Sequence, residues 1–155
     1  MLRAVAAHRP GAVRDGIPAH LTLLYPFVPA DVLTPDTVRR LRDACAATGP
    51  VTVGFTRATS TPTMVSVAPE PIAPVAALAR RLRDGWPGYP PYGGRFGPDP
   101  APHVTLALDP GPDAAGIVAT AGDLLPVRAR LDVAALVETT ASGWREHVRF
   151  DLGPG

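Results

Sequence analysis

Hydrophobic and polar residues alternate in several short stretches of the chain, and longer stretches with helical spacing lie between them. Strict alternation is typical of β-strands, whereas apolar residues three and four positions apart are typical of amphipathic helices. The pattern predicts strands over 20–28, 51–59, 63–69, 103–109, 127–140 and 144–152, and helices over 34–48, 71–85 and 113–125. Strands and helices mixed in this way predict an α+β domain with antiparallel sheets flanked by helices.

Turn and cap residues bound several of these elements. Thr34 is suited to the N-cap of its helix, Pro35 to the first helical position and Gly49 to the position where the helix stops. Gly143 predicts a turn between the last two strands. The segment 86–102 is rich in proline, glycine and aromatic residues, which predicts a long, rigid loop of a length that often carries function.

The two halves of the chain repeat one order of elements, which is a strand that begins with His-x-Thr, a helix, and then two strands. We interpret this order as an internal duplication with a pseudo-twofold axis. The chain is therefore predicted to be one domain, over 1–155, whose repeats form two lobes at about 20–70 and 103–152.

Each half carries a histidine and a threonine two positions apart, His20 with Thr22 in "HLTL" and His103 with Thr105 in "HVTL". Side chains at positions i and i+2 of a strand lie on the same face, while the residue between them can enter the core. Each strand thus places an imidazole beside a hydroxyl. If a twofold axis relates the halves near these strands, the two pairs meet across a shared groove.

Two facing histidines suit acid–base catalysis on a phosphate. Because a free imidazole has a pKa near ~6.5, one can accept a proton from a nucleophile while the other donates a proton to a leaving oxygen. Each role contributes roughly 10²–10⁴-fold in rate. The threonine hydroxyls can donate to the non-bridging oxygens of a phosphate between the histidines, which stabilises charge without a metal.

The two motifs and their surroundings resemble the 2H phosphoesterase superfamily. The resemblance covers about residues 16–153, and "GIPAHLTLLYPF", "YPPYGGRFGPDPAPHVTLAL" and "GWREHVRFDLG" look like the bacterial branch known as 2′-5′ RNA ligase-like. It implies a bilobal fold with the active site in a cleft between the lobes. It also implies metal-independent action on 2′,3′-cyclic phosphates or 2′-5′ phosphodiester bonds by His20, Thr22, His103 and Thr105, and no cofactor is expected. The family name suggests ligation, but we expect hydrolysis of a cyclic phosphate or a 2′-5′ bond.

Members of this family usually open with a β-strand, whereas residues 1–10 predict a helix or coil. We therefore expect the family's N-terminal strand to be missing. An unfilled place in the sheet would leave an exposed edge, which is a route to association. The expected state is a monomer or a weak dimer.

Four further residues are candidates for contact with the substrate. Aromatic rings can stack on a nucleobase, and an arginine can reach a phosphate or a 2′-hydroxyl; packing of the proline-rich loop is the alternative. Regular alternation places one of the four, Tyr25, in the core beside Phe27, unless Pro26 turns it toward the cleft. The candidates are Tyr25, Tyr92, Arg95 and Phe96.

Other conspicuous residues have simpler interpretations. The cluster of Arg80, Arg81 and Arg83 predicts a solvated helix face. Trp86 and Trp144 are predicted to be packing residues.

Composition narrows the class of function further. All fifteen basic residues are arginine, yet the net charge is only +1, so no strong basic field exists to hold long nucleic acid. No apolar run reaches the ~18 residues of a membrane-spanning helix, and the opening residues lack the features of a signal peptide. The single cysteine, Cys45, excludes an internal disulfide. We expect a cytoplasmic enzyme that acts on a small nucleotide or an RNA terminus.

Two other functions stay open at this point. One is a non-catalytic module on the same fold that binds a nucleotide or an RNA end. The other is a metal site that uses His20 and His103 with a carboxylate such as Glu138, although no third ligand lies at a sequence spacing typical of metal sites.

Overall fold

Helices and strands follow each other in a mixed α+β order in a computed structural model, which describes residues 1–14 and 16–153. The helices are α1 (Leu2–His8), α2 (Pro35–Ala46), α3 (Ala73–Gly85) and α4 (Ala114–Gly122). The strands are β1 (Val51–Phe55), β2 (Ala58–Ser60), β3 (Met64–Val67), β4 (Val104–Leu108), β5 (Val127–Leu131), β6 (Val133–Thr140) and β7 (Gly143–Asp151). Over the described ranges, no helix combines the length and the apolar character needed to cross a membrane.

The strands pair in small antiparallel sheets. β1 pairs with β5, β3 lies between β2 and β4, and β6 pairs with β7. The β1–β5 pair joins the strands that follow α2 and α4, and its centre places Val53 opposite Ala129. The predicted α+β class with antiparallel sheets is confirmed. The division into repeats at about 20–70 and 103–152 stays a prediction.

Two hydrophobic clusters hold these elements together. The first cluster packs α1 and α4 against the β2–β3–β4 sheet and β1, and its members include Val5 and Ile117, both 0% exposed. The second cluster packs α2 and α3 against β7, and it includes Phe150 and the buried Cys45. Burial of each large aliphatic side chain contributes roughly 1.5–3 kcal/mol, so these clusters are the main source of stability.

Helix α2 begins and faces the core as its sequence predicts. The hydroxyl of Thr34 accepts a hydrogen bond from the backbone N–H of Thr37 at 3.2 Å, and Pro35 occupies the first turn. Leu41 and Cys45, four positions apart, are the buried residues of the helix. Helical spacing therefore places both on the face that enters the second cluster.

The opening segment folds as α1 and packs on the other half of the chain. Val5 enters the first cluster, and α1 contacts α4 and β4. The ring of His8 lies against Gly116, where an added Cβ would come within 2.6 Å of Nε2. In the part of the chain that the structure describes, β4 has β3 as its one neighbouring strand. The association expected at an open edge stays a prediction.

The segment 20–28 was predicted to be a strand, and this prediction is wrong, because the segment is irregular. Pro26 and Pro29 have no N–H to donate to a ladder. Side-chain packing holds the segment instead. Leu21 packs on the first cluster, and Leu23 packs on both clusters. The first His-x-Thr motif therefore bridges the two cores without lying in a sheet.

Two other predicted strands, 51–59 and 127–140, are each divided in two. The first is divided between β1 and β2, and the second is interrupted at Asp132 between β5 and β6. In each case the two pieces belong to different sheets. Apolar alternation continues across the second break, from Leu131 to Val133, so hydrophobic periodicity alone could not locate that break. At the first break the apolar positions shift by one residue between Phe55 and Ala58, which is a signal that could have located it.

Candidate active site

The two motif histidines are oriented by the same kind of hydrogen bond. Nδ1 of His20 lies 2.8 Å from the carbonyl oxygen of Pro18, and Nδ1 of His103 lies 2.9 Å from the carbonyl oxygen of Ala101. A carbonyl oxygen can only accept, so each Nδ1 carries a proton and donates it. Nε2 of each ring then stays free to accept a proton or, once protonated, to donate one.

The two imidazoles are close enough for the charge of one to affect the other. Burial lowers the pKa of His20 below its usual value of 6.5, and the hydrogen bond to Pro18 opposes this shift. The positive charges of Arg14 and His103 lower the pKa further. His20 is therefore neutral, and able to accept a proton, at lower pH than a free histidine would be.

The beginning of β7 forms the surroundings of His20. The rings of His20 and Trp144 lie with centroids 4.2 Å apart, so Trp144 packs, as predicted, but against a motif histidine. Two glycines allow the chain segments to approach. A Cβ added to Gly16 would lie 2.5 Å from the carbonyl oxygen of Ser142, and one added to Gly143 would lie 2.7 Å from that of Gly16.

The second motif begins with His103, directly before β4, and continues into the strand with Thr105. Val104 and Leu106 are 8% and 2% exposed in the first cluster, so Thr105 between them is on the other face of the strand. Ser66 of β3 stands opposite Thr105 in the register of the sheet. Ser66 was not among the predicted site residues. The signal that could have found it is the single polar residue in the otherwise apolar run "MVSV".

A pocket is lined by residues from both halves of the chain, among them His103 but not His20 or Thr105. It brings Thr22 of the first motif together with His103 of the second, and its other walls include Tyr25 and Tyr92. Residues separated by about half the chain thus share one concave surface. Polar and aromatic side chains from both halves thus converge on one small concavity.

The four residues predicted to contact substrate lie in one partly exposed cluster. The rings of Tyr25 and Tyr92 have centroids 6.1 Å apart, and those of Tyr92 and Phe96 are 5.3 Å apart. The guanidinium of Arg95 lies 5.2 Å from the centre of the Phe96 ring. The N–H of Tyr92 donates to the carbonyl of Tyr25, which ties the loop 86–102 to the first motif.

The prediction that Tyr25 lies in the core is wrong, because the residue is 55% exposed. Leu23 and Leu24 are adjacent in sequence, yet both pack on the second cluster. The period of two therefore ends before Tyr25. Phe27 follows its prediction and packs against Trp86, with ring centroids 5.4 Å apart.

The prediction of a solvated face for Arg80, Arg81 and Arg83 is wrong for Arg83. Its side chain is only 11% exposed, it pairs with the carboxylate of Asp99, and it lines the pocket. The side chain of Arg80, in contrast, is 61% exposed. Position 83 comes four residues after the buried Ala79, so helical spacing is the signal that could have placed Arg83 at the edge of the buried face.

The carboxylate considered as a third metal ligand has other partners. Glu138 accepts hydrogen bonds from Arg145, and His147 Nε2 lies 3.1 Å from the same oxygen. These contacts, chiefly the one from Arg145, lower the pKa of Glu138. Among residues 1–14 and 16–153, no three His, Cys, Asp or Glu side chains converge in a metal-binding arrangement.

Comparison with known proteins agrees with this architecture. The chain is similar to the crystal structure of TT0787 of Thermus thermophilus, with 22% sequence identity, a TM-score of 0.63, and coverage of 99% of this chain and 92% of that chain. A likeness at this identity shows a common fold. A comparison with curated proteins found no match. The family model described as "2'-5' RNA ligase superfamily" matches residues 2–143, which is most of the chain, and the protein therefore belongs to this superfamily of 2H phosphoesterases.

Proposed function

We propose that this protein is a metal-independent phosphoesterase that acts on 2′,3′-cyclic phosphates or 2′-5′ phosphodiester bonds of a small nucleotide or an RNA terminus. One observation carries the proposal. His20 and His103 each hold a proton on Nδ1 through a backbone carbonyl two positions earlier, and so keep Nε2 free. This matched pair supplies one proton acceptor and one proton donor, which is what cleavage of a P–O bond by acid–base catalysis requires.

For a cyclic phosphate, hydrolysis proceeds by in-line attack of water. Nε2 of one histidine takes a proton from water while the water oxygen forms a bond to phosphorus. The bond from phosphorus to one ribose oxygen breaks, and the protonated Nε2 of the other histidine gives its proton to that oxygen. The product is a nucleoside monophosphate, and proton exchange with solvent resets both rings. The lowered pKa of His20 favours it as the acceptor in this direction.

The remaining candidates bind the substrate around the reacting phosphate. Thr22 and Thr105 donate hydroxyl hydrogen bonds to the non-bridging oxygens, where charge develops. Tyr25 and Phe96 are exposed, and the half-buried Tyr92 contacts both. Stacking of a base on such a ring contributes roughly 1–3 kcal/mol. Arg95, beside Phe96, is placed to reach a phosphate or a 2′-hydroxyl.

The test is hydrolysis of the four nucleoside 2′,3′-cyclic phosphates in EDTA, from about pH 5 to about pH 9, a range that spans the titration of histidine. The wild type is expected to show a bell-shaped profile. His20→Ala and His103→Ala are each expected to lose about 10²–10⁴-fold in kcat/KM. His147→Ala is the matched control, because this histidine belongs to neither His-x-Thr motif and pairs with Glu138.

Several outcomes would contradict the proposal. Activity that disappears in EDTA and returns with added metal ion would exclude the metal-independent mechanism. Folded wild type that turns over neither cyclic phosphates nor a 2′-5′ dinucleotide, yet binds nucleotides in calorimetry, would establish the non-catalytic binding module. Equal losses of kcat/KM in His147→Ala and His20→Ala would show that the motif histidine is not a catalytic residue.

A further inference from the structure

We infer that Arg83 is a substrate-binding residue whose guanidinium donates hydrogen bonds to the phosphate of the substrate. The inference rests on the proposed function for the identity of the anion. Arg83 lies in the last turn of α3, outside both His-x-Thr motifs and outside the aromatic cluster. It would therefore be an additional group at the site, supplied by a helix and separate from the residues of the two motifs.

The burial of Arg83 needs an explanation, because a charged side chain removed from water must find partners. The side chain of Arg83 is 11% exposed. A guanidinium has five N–H donors, and within the described residues the hydrogen bonds of Arg83 go to Asp99 alone. Most of its donors are therefore available to a ligand.

These free donors are reached by solvent. No fully buried side-chain nitrogen or oxygen in the described part of the chain lacks a hydrogen-bond partner. The unpaired N–H groups of Arg83 must accordingly lie at a surface, and the surface that Arg83 lines is the pocket. A planar fork of donors at a pocket wall matches the oxygens of a phosphate.

The local charge also favours an anion. Asp99 is shared, because its carboxylate pairs with Arg83 and lies 3.7 Å from Nε of Arg80. Arg80 and Asp99 both have exposed side chains, so solvent screens the charge of each at Arg83. The carboxylate of Asp99 therefore orients the Arg83 guanidinium without cancelling its positive charge for a ligand.

The residues that share the pocket with Arg83 favour phosphate over other hydrogen-bond acceptors as the ligand. Thr22 and His103 line the same walls as Arg83, and these two residues are proposed to hold the reacting phosphate and to exchange protons with it. The concavity is small, so a phosphate would lie across its mouth, next to the wall to which Arg83 contributes. Arg83 therefore adds positive charge at the place where negative charge develops during the reaction.

The test measures binding of inorganic phosphate and kcat/KM for a cyclic phosphate in wild type, Arg83→Gln, Arg83→Lys and Arg80→Gln. Arg80→Gln is the matched control, because it removes the same charge from the same helix and the same carboxylate but from an exposed side chain. Arg83→Gln is expected to weaken phosphate binding and to lower kcat/KM, each by about ten- to a hundredfold, as for loss of a charged hydrogen bond. Arg83→Lys is expected to recover part of both losses, and Arg80→Gln to change each by no more than about twofold.

Thermal unfolding of every variant separates a binding defect from a folding defect, and Arg83→Lys carries the test if Arg83→Gln does not fold. The inference is overturned if the wild type shows no saturable phosphate binding, if a folded Arg83 variant binds phosphate as the wild type does, or if Arg80→Gln is equally impaired. Phosphate binding that depends on Arg83 in a wild type without turnover would support the inference and contradict the proposed activity. Turnover that is unaffected by loss of Arg83 would support the proposed activity and contradict the inference.

Discussion

The two His-x-Thr segments have the same sequence pattern and the same histidine hydrogen bond, but they are held in place differently. His103 directly precedes β4, and Thr105 lies in this strand of the three-stranded sheet, with backbone pairing to β3. The segment that carries His20 and Thr22 is irregular, and side-chain packing anchors it to two hydrophobic clusters. Backbone pairing in one case and side-chain packing in the other produce the same orientation of the imidazole.

This difference shows which contacts orient the two motif histidines. Both histidines use the carbonyl two residues earlier, a local contact that does not require a ladder. In both segments an apolar side chain between the histidine and the threonine, Leu21 or Val104, packs into the first cluster. The two motifs thus share a local hydrogen bond and one packed apolar side chain, whatever the backbone pairing.

The largest expected effect is a difference in the free energy of unfolding between two variants, one in the sheet that holds the second motif and one in the packing that holds the first. Leu106→Ala removes a side chain that is 2% exposed under β4 and is expected to lower the free energy of unfolding by about 2–5 kcal/mol. Leu23→Ala removes a half-buried side chain and is expected to cost less than about 2 kcal/mol. Chemical denaturation of both variants gives these values.

Activity is expected to rank the same two variants in the opposite order. Leu23 joins the first motif to both clusters, so folded Leu23→Ala protein should lose kcat/KM, whereas folded Leu106→Ala protein should keep it because the β3–β4 ladder still holds Thr105. Equal activity in the two folded variants would show that Leu23 does not position His20.

A smaller effect tests whether the two threonines are equivalent. Thr22→Val and Thr105→Val keep the shape of the side chain and remove the hydroxyl, so each is expected to lower kcat/KM by about tenfold or more, the value of a hydrogen bond to a charged group. Thr139→Val, at an exposed position on β6, is the control. If only one motif threonine matters, the phosphate lies nearer to that motif, and the symmetrical arrangement of the proposal fails.

The smallest expected effect is on the titration of His20. Burial gives the folded protein a lower pKa than the unfolded chain, so the unfolded chain binds more protons between the two values. The stability that this difference contributes is fully present above a pH of about 6.5 and is lost as the pH falls through the folded-state pKa.

Trp144→Ala removes part of this burial and is expected to move the pKa of His20 up toward its usual value, as measured by NMR titration of the ring protons. Arg14→Gln is expected to shift it in the same direction by less, because burial is the larger cause. A His20 resonance whose midpoint does not move in Trp144→Ala would assign its burial to other contacts.

The elements that the sequence predicted well are those with local determinants. Helix α2 follows from Thr34, Pro35 and the spacing of its apolar residues, and β4 follows from alternation in "HVTLAL". The α+β class follows in turn from the order of such elements. These features depend on neighbours within a few positions, which a pattern along the chain contains.

The predictions that failed depend on contacts distant in sequence. The segment 20–28 has the composition of a strand, but whether it pairs depends on which backbone reaches it, and its two prolines limit such pairing. The exposure of Tyr25 follows from the irregular path of that segment. Arg83 becomes a wall of the pocket because loop 86–102 folds back to bring Asp99 to it, a contact between residues sixteen positions apart.

The approach of Gly16 to Gly143 has a consequence for how this sequence can diverge. Each glycine has a positive φ, and a side chain at either would meet the backbone of the opposite segment at less than 3 Å. Neither position can therefore accept an L-amino acid with a Cβ unless the two segments separate, and a compensating change at the other position would not relieve a clash with the main chain. Substitutions can accumulate in the side chains around His20, but Gly16 and Gly143 themselves can accept almost none.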